Sequence, residues 1–136
     1  MPRSTTLRLA TLATALALNA GCHDASTSPR ATLAAAAGVY ELETTIGRGP
    51  VAGLFTLEAD GRAERRVRYV VSSQVENVST GTFAIDADGI SFSLTFDAPG
   101  TGFTWPVRGE WRGSSFTIRY PDPADGPDIV ETYTRR

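Results

Sequence analysis

The stretch ISFSLTF, residues 90–96, decides the fold class. Its four apolar residues alternate strictly with Ser91, Ser93 and Thr95. A period of two places the apolar side chains on one face of a β-strand, whereas a helix needs a period of about 3.6. The sequence DADG, residues 86–89, directly precedes this strand, and aspartate and glycine readily adopt the backbone angles of a hairpin turn. Together the two features predict one arm of an antiparallel β-hairpin.

Similar alternation continues through most of the chain from residue 39 onward, broken by short turns rich in glycine, proline and aspartate. Eight strands are predicted, at residues 39–46, 54–59, 62–71, 80–85, 90–96, 103–111, 115–120 and 129–135. In the first strand the alternation places four side chains on one face, namely Tyr40, Leu42, Thr44 and Ile46. Because nearly every connection is as short as a hairpin turn, an up-and-down antiparallel meander is favoured.

Closure of this meander into a small barrel would pair its two edge strands, which otherwise expose unpaired backbone groups. We therefore predict an all-β fold in which about eight antiparallel strands, in up-and-down order, close into a barrel. Such a barrel has an interior just wide enough to be filled with side chains or to hold one small ligand. Large inward-facing residues such as Phe55, Phe92 and Phe116 predict that much of the interior is filled.

The N-terminal part of the chain lacks this alternation. Arg3 and Arg8 accompany an apolar, helix-prone stretch at residues 9–18, which is too short to cross a bilayer core of about 30 Å. A short apolar stretch after basic residues is typical of a signal peptide. Small residues at positions 20 and 21 then precede Cys22, which is the only cysteine of the chain.

The sequence LNAGC, residues 18–22, resembles the lipobox of bacterial lipoproteins, which is commonly Leu-Ala-Gly-Cys, although Asn19 stands where an aliphatic residue is usual. The resemblance implies that residues 1–21 are a lipoprotein signal peptide and that Cys22 is lipidated. It also implies anchoring to a membrane outside the cytoplasm, in the cell envelope, with the domain facing the periplasm or the cell surface. The alternative is an ordinary secretory signal that is cleaved nearby.

Residues 22–37 are rich in serine, threonine and alanine and show no core periodicity, so we expect a flexible tether. The four alanines at residues 34–37 are able to extend a turn of helix, but the sequence predicts no surface that would bury it. Residues 38–136 are expected to form the barrel domain.

The barrel domain resembles the small lipocalin-like lipoprotein domains of bacteria. The similarity rests on the opening GVYEL (residues 38–42), on LEADG (57–61), on GTF (81–83) and on the closing YTR (133–135). The resemblance implies a barrel-like fold, and it carries no assigned activity.

Composition excludes several classes of function. The formal net charge is -2, and removal of residues 1–21 takes away two arginines and no carboxylate. A mildly acidic domain lacks the basic surface that nucleic-acid binding needs. The only histidine, His23, lies in the expected tether, and the chain has no lysine. We therefore predict no catalytic dyad of histidine with serine or cysteine, no zinc-type cluster and no Schiff-base chemistry.

Carboxylates remain as candidate ligands or catalysts. Asp122, Asp125 and Asp128 fall within seven residues, and Ca²⁺ prefers several oxygen ligands, so this loop is a candidate calcium site. The loop lacks the spacing of an EF-hand, and its proline residues explain it more simply as a rigid surface loop. Asp86 and Asp88 are also able to chelate Ca²⁺ or to flank a scissile bond, but a hairpin turn explains them more simply.

Aromatic residues provide the candidate ligand-binding site. Phe103, Trp105 and Trp111 lie on one predicted hairpin, where they either pack into the core or form an aromatic wall at a barrel mouth. Tyr69 and Arg65 are placed on the same inward side by the alternation of the third strand.

The densest basic patch lies on that strand and comprises Arg62, Arg65, Arg66 and Arg68. The patch fits a solvated strand face, or a surface that contacts anionic headgroups or a partner. Arg65 is the exception, because alternation points it inward beside Val67. A buried unpaired arginine is too costly, so Arg65 is expected at a barrel mouth or paired with an inward carboxylate such as Glu131.

These features predict a membrane-tethered envelope lipoprotein that is not an enzyme and that binds a small apolar ligand or a protein partner. An alternative is a structural or inhibitor-like interaction module with a solid core. A hydrolase that uses paired carboxylates is less favoured. Apart from the calcium candidate, no cofactor is predicted.

Overall fold

The computed structural model describes residues 29–70, 76–96 and 103–136. For residues 29–31 and 96 it describes the backbone alone. The expected signal peptide, Cys22 and residues 23–28 lie outside the described residues. In these described ranges the α-helix and the strands follow each other in this order: α1 (Pro29–Ala36), β1 (Gly38–Ile46), β2 (Ala52–Leu57), β3 (Arg62–Arg68), β4 (Asn77–Asp86), β5 (Gly89–Phe96), β6 (Thr104–Trp111), β7 (Ser115–Tyr120) and β8 (Ile129–Arg135).

Each strand pairs in the antiparallel direction with the next one, and β8 returns to pair with β1. The sheet is therefore a closed barrel of eight strands in up-and-down order, which confirms the predicted fold class. The tight turn predicted at residues 86–89 connects β4 to β5, and the strand of residues 90–96 is the second arm of this hairpin, with Phe83 opposite Phe92. This arrangement is consistent with the lipocalin-like barrel that the sequence motifs imply.

An irregularity on β1 changes which of its side chains face inward. The register with β8 shifts between Leu42 and Thr44, so that Thr45 lies opposite the buried Glu131. A bulge of this kind adds one residue and reverses the alternation beyond it. The prediction that Thr44 and Ile46 share a face with Tyr40 is therefore wrong, and both are exposed.

Aromatic rings fill the middle of the barrel. The ring of Phe55 on β2 lies 4.6 Å from Phe92, 5.3 Å from Phe116 and 5.2 Å from Tyr133, measured between ring centroids. Because β2 is not a neighbour of β5, β7 or β8 in the sheet, these contacts cross the barrel interior. The prediction of a largely filled interior is confirmed in the middle of the barrel. Each aromatic pair stabilises the fold by about 0.5–1.5 kcal/mol in addition to the contribution of its buried area.

Helix α1 covers the end of the barrel at which β1 begins, which we call the closed end. Ala36 is fully buried and Leu33 packs against the core. The Tyr40 hydroxyl donates a 2.7 Å hydrogen bond to the Ala36 carbonyl, and Arg135 Nη2 donates one of 2.7 Å to the Ala35 carbonyl. For residues 29–36, the expectation of a flexible tether with nothing to bury the alanines is therefore wrong.

The opposite end, at which β1 ends and β8 begins, is the open end. Four connections meet there, and they cover residues 47–51, 69–76, 97–103 and 121–128. Parts of two of these connections lie outside the described residues. The open end is therefore formed by connections between strands, whereas α1 covers the closed end.

Candidate functional site at the open end

A buried ion pair crosses the barrel between the aromatic centre and the open end. Arg65 on β3 and Glu131 on β8 have side chains that are 1% and 0% exposed. Arg65 Nη2 donates to Glu131 Oε1 at 2.6 Å, and Arg65 Nε donates to Glu131 Oε2 at 3.3 Å. The predicted pairing of Arg65 with Glu131 is confirmed, because the carboxylate supplies the charge that a buried guanidinium requires.

Two tyrosines complete the hydrogen bonding of Glu131. The Tyr120 hydroxyl donates to Oε1, and the Tyr133 hydroxyl donates to Oε2 at 2.5 Å. Burial raises the pKa of both hydroxyls, and the neighbouring Glu131 charge raises it further. Both tyrosines therefore stay protonated at neutral pH and remain donors.

Burial by itself would lower the pKa of Arg65, but the opposing effects of Tyr133 and Glu131 outweigh it and raise that pKa above its usual value. The guanidinium therefore stays charged inside the barrel. Both oxygens of Glu131 already accept hydrogen bonds from Arg65 and the tyrosines. A carboxylate held in this way is poorly placed to act as a general base.

Trp105 and Ser79 join Arg65, Glu131, Tyr120 and Tyr133, and we call these six residues the polar layer. The ring of Trp105 meets Tyr120 edge to face at 4.6 Å, and the guanidinium carbon of Arg65 lies 5.7 Å from the Trp105 ring centroid. Ser79 pairs with Arg65 across β3 and β4, and it is fully buried. Its hydroxyl finds no hydrogen-bond partner among the described residues. The polar layer therefore contains Arg65 and Trp105, two of the residues predicted to contact a ligand.

The exposed large apolar side chains are concentrated at the open end. Four of the five in the described part of the chain lie there: Ile46, Val51, Val70 and Phe103. Their exposed fractions range from 57% to 72%. We call these four residues the apolar rim. Clustered exposed apolar residues are typical of interaction sites, whereas isolated ones are ordinary.

A groove of about 560 Å³ lies beside this rim. It forms where β1 and β2 separate, because their pairing extends only from Gly38 opposite Leu57 to Glu41 opposite Leu54. The loop of residues 47–51 folds back beyond that point, and Thr45 Oγ1 donates a 2.7 Å hydrogen bond to the Pro50 carbonyl. The apolar part of the lining comes from Leu42, Pro50, Val51, Tyr69 and Val70.

The structure does not bring the predicted aromatic wall together. Trp105 lies in the polar layer, whereas Trp111 lies six residues further along β6 and packs against Tyr40 and Phe116. Phe103 precedes β6 and is exposed at the rim. Of the five residues predicted to bind a ligand, Tyr69 lines the groove and Phe103 borders the same end.

The acidic loop does not gather its carboxylates. Asp122 Oδ2 lies 3.4 Å from Arg48 Nε, and Asp122 Oδ1 accepts a 2.9 Å hydrogen bond from the Ala124 amide. Asp128 approaches Arg119 instead, and Asp125 is exposed. Across residues 29–70, 76–96 and 103–136, no three side chains of the His, Cys, Asp or Glu type are placed to hold a metal ion. The geometric basis for the calcium candidate is therefore missing in this loop.

The other charged candidates have structural roles. Asp86 Oδ1 accepts a 2.8 Å hydrogen bond from the Asp88 amide, which is the geometry of a turn. Arg62 pairs with Glu58 and Asp60, while Arg66 pairs with Glu64 and Glu76. These exposed pairs, together with the exposed Arg68, fit a solvated strand face on β3.

Sequence reasoning missed most of the apolar rim and the two tyrosines of the polar layer. Tyr120 and Tyr133 were detectable, because alternation places Tyr133 on the same side of β8 as Glu131 and Tyr120 on the inward side of the neighbouring β7. Ile46, Val51 and Val70 carry no such signal. The exposure of Ile46 depends on the β1 bulge, and Val51 and Val70 lie in connections outside the strands, where alternation predicts nothing.

Comparison of the chain with protein-family models, with curated proteins and with solved structures finds no match. In the part of the chain that the structure describes, no helix combines the length and apolar character needed to cross a membrane.

Proposed function

We propose that this protein is a lipid-anchored lipoprotein of the bacterial cell envelope whose barrel binds a small apolar ligand at its open end. Cleavage after residue 21 and lipidation of Cys22 provide the anchor. The observation that carries the binding proposal is the groove of about 560 Å³ beside an apolar rim. Small-molecule sites have volumes of about 300–1,000 Å³ and are mostly apolar.

The position of α1 supports an orientation on the membrane. Six residues separate Cys22 from Pro29, and a chain of this length spans at most about 25 Å. Since α1 is docked on the closed end, the lipidated cysteine would hold that end near the bilayer. The groove and the rim then face away from the membrane, where a ligand can reach them.

The interior chemistry supports a role in binding rather than in catalysis. Glu131 is the fully buried carboxylate below the mouth, and Arg65 together with two tyrosines already occupies its oxygens. The aromatic centre fills the barrel below that layer. A ligand would therefore sit in the groove and not deep inside the barrel.

Binding is tested with the hydrophobic dye 8-anilino-1-naphthalenesulfonate and the full chain in detergent below its micelle concentration. Val51→Ser and Val70→Ser are expected to reduce dye fluorescence strongly, because both residues line the groove. Val39→Ser is the matched control, since Val39 is an exposed valine near the closed end. Equal loss in the control, or dye fluorescence unaffected by all three changes, contradicts the proposal. Native mass spectrometry of protein purified from its own host then reports a bound ligand directly.

The anchor has a separate test. Cys22→Ser is expected to release the protein from the membrane fraction and to remove the mass of the acyl chains. If this variant stays on the membrane and its mass changes only by the substitution, lipidation at Cys22 is wrong.

A protein partner is the second candidate, because Ile46 and Phe103 belong to the rim but do not line the groove. A surface wider than the groove fits contact with another protein. Phe103→Ser separates the two candidates. It leaves dye binding unchanged if the groove alone is the site, and it weakens co-purification of a partner if the whole rim is used.

A further inference from the structure

Two arginines face each other on the outer wall of the barrel, away from the groove. Arg108 on β6 is directly opposite Arg119 on β7, and both side chains are exposed. Side chains at directly opposite positions of an antiparallel pair have Cβ atoms about 5 Å apart, and like charges there destabilise the pair. Nearby carboxylates or an anion from outside would relieve this repulsion.

The nearby carboxylates do not compensate for both charges. Glu110 lies on the same face of β6, but its Oε2 accepts a 3.0 Å hydrogen bond from Arg112. Asp128 Oδ2 lies 3.7 Å from Arg119 Nη1. Among the residues that the structure describes, no carboxylate oxygen lies within 4.0 Å of the Arg108 guanidinium nitrogens.

Most of the other arginines with described side chains have a carboxylate partner, unlike Arg108. Seven of them form an ion pair with a described carboxylate: Arg48, Arg62, Arg65, Arg66, Arg112, Arg119 and Arg136. The chain has more acidic than basic residues, with a formal net charge of -2. A shortage of carboxylates therefore does not explain an uncompensated arginine opposite another arginine.

The surface between the two arginines is concave. A shallow groove of about 270 Å³ runs there, and it is lined by Arg108, Gly109, Glu110, Thr117, Arg119 and Val130. The hydroxyl of Thr117, one of these lining residues, lies 3.1 Å from the Thr132 hydroxyl. The groove therefore offers two guanidinium groups and a hydroxyl to a small oxyanion, together with the Glu110 carboxylate that already pairs with Arg112.

We propose that this outer groove binds a phosphate-type oxyanion, which bridges the guanidinium groups of Arg108 and Arg119. Planar guanidinium groups donate paired hydrogen bonds whose spacing matches the oxygens of phosphate. The anion replaces the repulsion between the two arginines with two attractive contacts. Inorganic phosphate and the phosphate of a phospholipid headgroup share this chemistry.

The test measures phosphate binding to the full chain in a neutral detergent, by calorimetry against sodium chloride at equal ionic strength. Arg108→Gln is expected to weaken binding by about fivefold or more, since one of the two charge-assisted contacts is lost. Arg112→Gln is the matched control, because Arg112 is an exposed arginine on the same hairpin that already pairs with Glu110. It should leave binding unchanged.

Absence of phosphate binding by the wild type, no effect of Arg108→Gln, or an equal effect of Arg112→Gln overturns the proposal. A second arm identifies the source of the phosphate group. The protein is placed in phosphatidylcholine vesicles with and without phosphatidylglycerol, and hydrogen exchange of residues 104–120 is compared. Protection that requires both phosphatidylglycerol and Arg108 supports a lipid headgroup, whereas phosphate binding without this protection supports a soluble phosphate.

Discussion

The two ends of this barrel differ in how their chain segments are held. At the closed end, the backbone carbonyls of Ala35 and Ala36 accept hydrogen bonds from Arg135 and Tyr40. The guanidinium of Arg135 also lies 5.2 Å from the centre of the Tyr40 ring. At the open end, the large apolar side chains of the rim remain exposed to water. The closed end therefore contributes stability, and the open end contributes surface.

The barrel interior also differs between the closed end and the open end. Aromatic and aliphatic side chains fill the barrel towards the closed end, while the buried Arg65–Glu131 pair lies towards the open end. A buried ion pair contributes little net stability when it is complete, but its disruption is strongly destabilising because a charge is left unpaired. The polar layer therefore makes the open half of the core dependent on a few specific hydrogen bonds.

The largest expected effect concerns this polar layer. Arg65→Met leaves Glu131 buried beside two tyrosines without its opposite charge. The free energy of unfolding is expected to fall by about 3–5 kcal/mol, measured by chemical denaturation at pH 7.

The double variant Arg65→Met with Glu131→Leu is the control, because it removes both charges and keeps similar volume. It should recover most of the lost stability. If the single variant loses less than about 1 kcal/mol, water reaches Glu131 and the two halves of the core do not differ as described.

The next effect appears at alkaline pH. Tyr120 and Tyr133 have pKa values raised by burial and by Glu131 above the ordinary value of 10.0. Above pH 10 the unfolded chain loses these protons while the folded barrel keeps them, so stability is complete below pH 10 and falls above it. The expected slope is up to about 1.4 kcal/mol per pH unit for each tyrosine.

Tyr120→Phe removes one of the two groups, so the slope of stability against pH between about 10 and 12 should become shallower. The variant also loses a donor to Glu131 and starts from a lower stability at pH 7. The slope of stability against pH, and not the stability at pH 7, tests whether the pKa of Tyr120 is raised in the folded state. Equal slopes for the wild type and the variant would show that Tyr120 titrates alike in both states.

The sequence predicted what depends on alternation. The strand of residues 90–96, the up-and-down order and the inward direction of Arg65 all follow from a period of two and from short turns. An inward carboxylate such as Glu131 was one of two alternatives for Arg65, and the structure shows this pairing. Such inferences succeed because neighbouring strands restrict each other's register.

The sequence did not predict what depends on a change in alternation or on distant surfaces. One extra residue near Glu43 turns Ile46 outward and creates part of the rim, and a bulge has no strong sequence signal. The burial of Ala36 depends on an opening that exists only after the barrel closes. Trp105 and Trp111 lie far apart because six residues separate them along β6. Alternation predicts which face of a strand a residue occupies, but it does not show how far apart two residues lie on that face.

A smaller effect is expected at the closed end. Tyr40→Phe removes the donor to the Ala36 carbonyl and the acceptor of the Arg135 bonds, and it keeps the ring in place. A loss of about 1–2 kcal/mol is expected. Hydrogen exchange should accelerate in residues 29–37 more than in β5. Uniform acceleration across the barrel would show that α1 and the sheet open together.

The smallest effect on stability is expected at the apolar rim. Val70→Ser and Phe103→Ser replace side chains that are 72% and 61% exposed, so the free energy of unfolding should change by less than about 0.5 kcal/mol. Thermal and chemical denaturation measure this change directly. If either substitution destabilises the protein by more than about 1 kcal/mol, the rim packs against neighbouring loops and belongs to the core. If stability is unchanged while dye binding falls in Val70→Ser, the open end holds surface that the fold itself does not require, which is what a binding site needs.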